Sequence, residues 1–238
     1  MAPALKHYYD KSYFEKLSNT IVAVYPDFCS QSFLQHIFDN AWEQRELKAR
    51  MHHTTQCLAD HLPSEYALTI DILKQAAPLS AKNSKYSGFL DMFFSDFVEK
   101  FGMNDWNTSM DALEYFTTYS SSEFAIRPFI IKDTKRTMQH LAAWCIHPNH
   151  HVRRLASEGC RPRLPWACAL PMFKKDPSLI LPILENLKND PSEYVRRSVA
   201  NNLNDISKDH PHTLLKIAQE WHGDSQKTDR LVKHACRN

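Results

Sequence analysis

The sequence predicts an all-α protein, a solenoid of stacked helical hairpins. Three observations carry this: apolar positions recur at helical spacing along most of the 238 residues, only four glycines occur, and two ungapped segments repeat 43 residues apart. No stretch holds a period-two alternation bounded by hairpin turns, so no strand is assigned. Prolines, several in His-Pro or Asp-Pro pairs, stop one helix and open the next. Taken in order, helices are expected over 11–24, 30–40, 41–60, 64–76, 86–100, 107–117, 121–131, 133–146, 149–159, 166–173, 177–188, 191–206, 210–222 and 226–237. They form a single domain over 1–238, with degenerate repeats in 1–119 and clearer ones in 120–238.

The repeat aligns His147-Pro-Asn-His-His-Val-Arg-Arg-Leu-Ala-Ser-Glu158 with Asp190-Pro-Ser-Glu-Tyr-Val-Arg-Arg-Ser-Val-Ala-Asn201. Each copy opens on X-Pro, runs into Val-Arg-Arg, and is followed by a second helix that begins near another proline, Pro177 or Pro211. A helix-turn-helix unit of this length is the pattern of a HEAT-like helical-repeat solenoid. At 100° per residue, Val195, Val199, Leu203 and Ile206 form the core stripe of one repeat helix, and Arg197, Asn201 and Asp205 line the opposite side. In the matching helix, Val152, Ala156 and Gly159 face inward, with Arg154 and Glu158 on the polar face.

Composition narrows the function. A hydrophobic fraction of 43% builds a real core, no run approaches the roughly 18 apolar residues of a membrane span, and the start lacks a secretory signal. A cytoplasmic chain with reduced, scattered cysteines is expected, acting as a monomer away from any membrane. With so few glycines no phosphate-binding loop can be built, which excludes the usual nucleotide-cofactor enzymes, and no cofactor is expected. Residues 1–119 carry 10 Lys+Arg against 15 Asp+Glu (−5), and residues 120–238 carry 19 against 12 (+7). The basic half points to a polyanionic partner.

Arg153, Arg154, Arg161 and Arg163 fall within eleven residues that hold one acid, and Arg196 and Arg197 follow in the second repeat. The planar guanidinium fork suits phosphate, although a solvated face with Arg–Glu pairs also fits these residues. Glu158 and Asp205 are acids inside basic surface, where they would repel phosphate. Pairing of Glu158 with Arg154, or a helix-terminal role for Asp205, would account for them as well. Ser120-Ser-Ser-Glu123 reads as a capping box. Trp166 is either a core anchor or an open indole that stacks on a base or faces a cation. His147, His150 and His151 lack a further ligand at zinc spacing, so no metal is assigned.

Val152-Arg-Arg-Leu-Ala-Ser-Glu-Gly-Cys-Arg-Pro-Arg-Leu-Pro-Trp166, with the segment Asp190 to Asp209, resembles the AlkC branch of the AlkC/AlkD HEAT-like DNA glycosylases. The resemblance implies excision of cationic N-alkylated bases such as 3-methyladenine from double-stranded DNA by hydrolysis of the N-glycosidic bond. Carried over by motif, Glu158, Asp205 and Trp166 would line the active site, with Glu123 as a pocket acid through Ser-Ser-Glu-Phe. Arg153, Arg154, Arg161, Arg163, Arg196, Arg197 and Asn201 would face DNA. Some members of this branch carry an added immunoglobulin-like C-terminal domain. A non-catalytic helical-repeat scaffold that binds DNA or protein is the alternative.

Overall fold

The computed structural model describes residues 4–83 and 86–237, and among the described residues there are helices and no strand. The chain divides into two compact units, Met1–Ala125 and Ile126–Asn238. The first holds α1 (Lys11–Val24), α2 (Ser30–Ile37), α3 (Leu47–His61), α4 (Tyr66–Asn83), α5 (Ser87–Leu90), α6 (Phe93–Phe101) and α7 (Trp106–Phe116). Here α1 packs on α2 and α4, and α6 packs on α3 and α7, around Phe14, Phe33, Leu58, Phe93 and Phe116. Polar groups inside are paired: Tyr13 donates to Asp91 at 2.6 Å and Thr55 to Asp96 at 2.6 Å. Burial pushes the Asp91 carboxyl up to about 6.

Several expected helices are divided or displaced for local reasons. The stretch 41–60 becomes a 3-10 turn, Trp42–Gln44, followed by α3. Asp39 accepts from the Ala41 amide and binds Arg45, a side-chain alternative to helical bonding. The stretch 86–100 is split at Asp91, whose side chain turns inward to Tyr13. Ser120–Glu123 forms no capping box, because the helix expected over 121–131 begins only at Ile126. Ser122 donates instead to the Leu113 carbonyl, and the Ser121 hydroxyl to the Glu123 carboxylate.

The second unit holds α8 (Ile126–Lys132), α9 (Thr134–Trp144), α10 (His150–Gly159), α11 (Pro171–Lys175), α12 (Leu181–Leu187), α13 (Glu193–Ser207), α14 (Pro211–Trp221) and α15 (Gln226–Ala235). Asp133, Asn149 and Ser225 cap α9, α10 and α15 through bonds from the amides of Arg136, His151 and Thr228. Pro171 and Pro211 occupy the first helical positions of α11 and α14, where the missing N–H costs nothing. The helices stack in order, α9 on α10, α10 on α13 and α13 on α15, over a core of Val152, Leu155, Val195, Val199 and Leu203.

The 43-residue repeat recurs in the hydrogen bonds of its loops. Arg153 Nη1 donates to the carbonyls of His147 and Pro148 at 2.8 and 2.9 Å. Arg196 Nη1 donates to the equivalent carbonyls of Asp190 and Pro191 at 2.6 and 3.0 Å. The first arginine of each Val-Arg-Arg therefore staples the X-Pro loop to the helix it precedes. Arg153 also grips Asp190 at 2.6 and 3.0 Å, tying one repeat to the next, and this hydrogen bond holds its pKa above the ordinary value against burial.

Candidate active site

The loop from α10 to α11 carries Arg161, Arg163 and Trp166. Arg161 is 8% exposed and lies between Glu158, 5% exposed, and Asp205, 3% exposed. Its Nη1 donates to Glu158 Oε1 at 2.7 Å and its Nε to Asp205 Oδ2 at 2.9 Å. Burial opposes the guanidinium charge, and the two carboxylates outweigh it, holding the Arg161 pKa above its usual value. One oxygen of each acid is thus engaged by Arg161, while Glu158 Oε2 and Asp205 Oδ1 lie outside this clamp. Arg154 stands 3.4 Å from Glu158, and Lys208 stands 3.7 Å from Asp205.

Both acids sit in the last turn of their helices, where the macrodipole disfavours negative charge. Keeping two carboxylates there, nearly out of water, carries a desolvation cost that the hydrogen bonds from Arg161 oppose. The sequence places them on the polar faces, which holds for their position around the helix, but neither is a surface group. The backbone around them is tightly set. Gly159 closes α10 where an added Cβ would stand 2.5 Å from Ile126 Cγ2, so only glycine lets α8 approach. Asn202 donates to the Ser157 carbonyl at 2.8 Å, and Ser157 and Ser198 share a hydrogen bond of 2.6 Å, locking α10 to α13 beside the acids.

Arg127, fully buried on α8, went unnoticed in the sequence. Its guanidinium collects three carbonyls from the 159–168 loop: Gly159 at 2.9 Å, Arg161 at 2.8 Å and Cys168 at 2.7 Å. It holds the backbone from which Arg161 and Trp166 project. A cation within the apolar run Ile126-Arg-Pro-Phe-Ile-Ile131 was the available signal, since a charge that cannot reach water must find fixed partners.

Trp166 is 63% exposed and has φ +64°, a left-handed backbone that bulky residues rarely adopt. The core-anchor reading is therefore excluded, and helix formation at 166 with it; α11 starts at Pro171. The remaining arginines divide by role. Arg153 and Arg196 serve the staples, spending guanidinium hydrogen bonds within the fold. Arg163 pairs with Asp209 at 2.7 Å, and Arg154 lies over the Tyr194 ring at 4.9 Å. Arg197 is exposed, and Asn201 contacts His234 and Arg237 at 3.1 and 3.2 Å. Glu123 belongs to the first unit.

The HEAT repeat family matches residues 180–210, which hold α12 and α13. Stacked helix pairs with a stapled 43-residue repeat define a HEAT-repeat protein. Over 233 residues the chain is 46% identical to the uncharacterized protein YhaZ of Bacillus subtilis (strain 168), covering 98% of this chain and 64% of that protein. It matches the structure of the Pseudomonas fluorescens alkylpurine DNA glycosylase AlkC bound to DNA containing an abasic site analog with a TM-score of 0.94 and 40% identity, over 100% of this chain and 65% of that one. Along its whole length the chain is thus similar to the AlkC branch of the HEAT-like glycosylases. It spans just under two thirds of the length of these two relatives.

Proposed function

We propose that this chain is a DNA glycosylase that removes cationic N-alkylated bases, such as 3-methyladenine, from double-stranded DNA by hydrolysing the N-glycosidic bond. The observation that carries the reading is the pair of buried carboxylates, Glu158 and Asp205, held at two helix ends by one arginine. The likeness of this whole chain to 65% of AlkC of Pseudomonas fluorescens supports it. The protein acts as a cytoplasmic monomer without a cofactor in this proposal.

An alkylated base already carries positive charge. It departs with the electron pair of the C1′–N bond, becomes neutral, and needs no strong general acid. What the reaction lacks is negative charge against the oxocarbenium-like sugar, and Glu158 and Asp205 supply it from fixed positions. Water adds to C1′ and gives its proton to a carboxylate, for which Asp205 is assigned; the products are an abasic site and the free methylated base. Arg161 is a positioning residue that keeps the two acids from separating. Trp166, held out by its backbone, offers an indole face to the cationic base, worth about 0.5–2 kcal/mol. Glu123 is assigned as a third acid through the family resemblance. Arg154, Arg163 and Arg197 are assigned to phosphates.

Single-turnover release of methylated base from N-methylated duplex tests the reading. Wild type is expected to release it. No release from any methylated duplex would leave a DNA-binding scaffold in its place.

A further inference from the structure

Between the first half of α13 and α15 lies a cleft of about 190 Å³. Arg196 and Arg197 line it from α13, and Lys227, Arg230 and His234 from α15. The three α15 residues follow at helical spacing on one face, with Ala200 and Leu231 as the apolar floor and Glu193 as the sole acid of the lining. Arg197, Lys227 and Arg230 are exposed, and among the described residues none of them forms an ion pair. Burial, then Arg237 and Arg197, hold the His234 pKa below its ordinary value, as a cationic surrounding should. Like charges facing one another across a cleft are unfavourable until an anion enters.

The volume limits what enters. Small-molecule pockets begin at roughly 300 Å³, so this cleft takes a group and not a whole nucleotide. A singly charged phosphodiester, able to accept from two guanidinium groups and an ammonium at once, matches its lining. Arg197, Asn201 and Asp205 lie four residues apart along one side of α13, which sets the cleft about 12 Å from the Asp205 carboxylate along the helix. Duplex DNA rises about 3.4 Å per step, so that distance covers at most about four nucleotides.

We propose that the α13–α15 cleft is a phosphodiester site that grips the DNA backbone within about four nucleotide steps of the base acted on, with Lys227 and Arg230 as its principal cations. The proposal rests on the reading of this chain as a DNA glycosylase, and it adds α15, to which that reading gives no role.

The test uses the full chain and duplexes with an abasic analogue, in which a single neutral methylphosphonate linkage is walked outward on each strand. For wild type, affinity should drop at one linkage within about four steps of the lesion. Lys227→Ala and Arg230→Ala should each lower the salt slope by about one, shrinking the affinity loss between 50 and 200 mM salt by about three- to fourfold. In both variants the drop at the sensitive linkage should vanish. Glu193→Gln should tighten binding, a direction that partial unfolding cannot produce. The proposal is overturned if both alanine variants keep the wild-type slope, if their linkage profile is unchanged, or if inorganic phosphate binds the cleft while duplex binding ignores it. Base release is measured in parallel. Duplex binding that depends on the cleft without release retires the glycosylase and keeps the cleft, whereas release with no cleft dependence retires the cleft alone.

Discussion

Asp205→Asn separates chemistry from architecture. The Asp205 carboxylate is 3% exposed and takes the Arg161 Nε–H at 2.9 Å. The amide oxygen keeps that hydrogen bond and loses the charge, leaving buried Arg161 with Glu158 as its remaining acid. Breaking a buried pair outright costs about 3–5 kcal/mol, and with the bond retained the loss should fall to about 2–3 kcal/mol. For a chain of this size each kcal/mol shifts Tm by roughly 2–4 °C, so the variant should melt about 4–12 °C lower. Base release under single-turnover conditions should drop about 10²–10³-fold, the scale of losing one electrostatic stabiliser of a transition state. A folded variant that releases base at the wild-type rate sinks the role of Asp205.

Arg127→Met leaves three loop carbonyls without their donor and should lower Tm by several degrees, with a fall in base release that Arg127→Lys restores only in part, because an ammonium cannot span all three. Release unaffected in a folded Arg127→Met would remove its positioning role. Arg153→Met should destabilise while leaving the salt slope of DNA binding at its wild-type value, since its guanidinium is spent on Asp190 and two carbonyls; a slope lowered by one would return it to the phosphates. Burial, reinforced by Asp96, pushes the Glu99 carboxyl up to about 7. The native state therefore holds a proton that the unfolded chain releases above its ordinary carboxylate pKa. The stability of the native state falls as pH rises through the window from the ordinary value to about 7. Glu99→Gln should flatten that dependence in thermal melts, and an unaltered profile would refute the assignment.

The helices of the second unit were legible because their signals are local. Asp133 and Ser225 cap where the pattern changes, Pro211 opens a helix, and the Val-rich stripes have one period. Glu158, Asp205 and Trp166 were legible as residues to watch, but not in their setting. Periodicity places an acid on a face; it does not say that Arg161, 44 positions from Asp205, will close over it. Arg153 and Arg197 look alike in a basic run, and only the path of the X-Pro loop separates a staple from a surface charge. Ser120–Glu123 matches a capping box by letter, yet Ser122 finds a stronger tertiary partner at Leu113 and Ser95, and the helix waits until Ile126. Arg127 lacked any motif. Its meaning lies in carbonyls brought from more than thirty residues away.

The stapled repeat separates two things that duplication would otherwise copy together. Arg153 and Arg196 occupy corresponding places and do the same work, so the framework is transferable from one repeat to its neighbour. The position that corresponds to Glu158 is Asn201, which carries no charge and points to His234 instead. A tandem array can thus be periodic in its skeleton and singular in its reactivity. Because the loop anchors do not involve positions 154, 158, 197 and 201, those side chains can differ between the repeats while the staple stays the same.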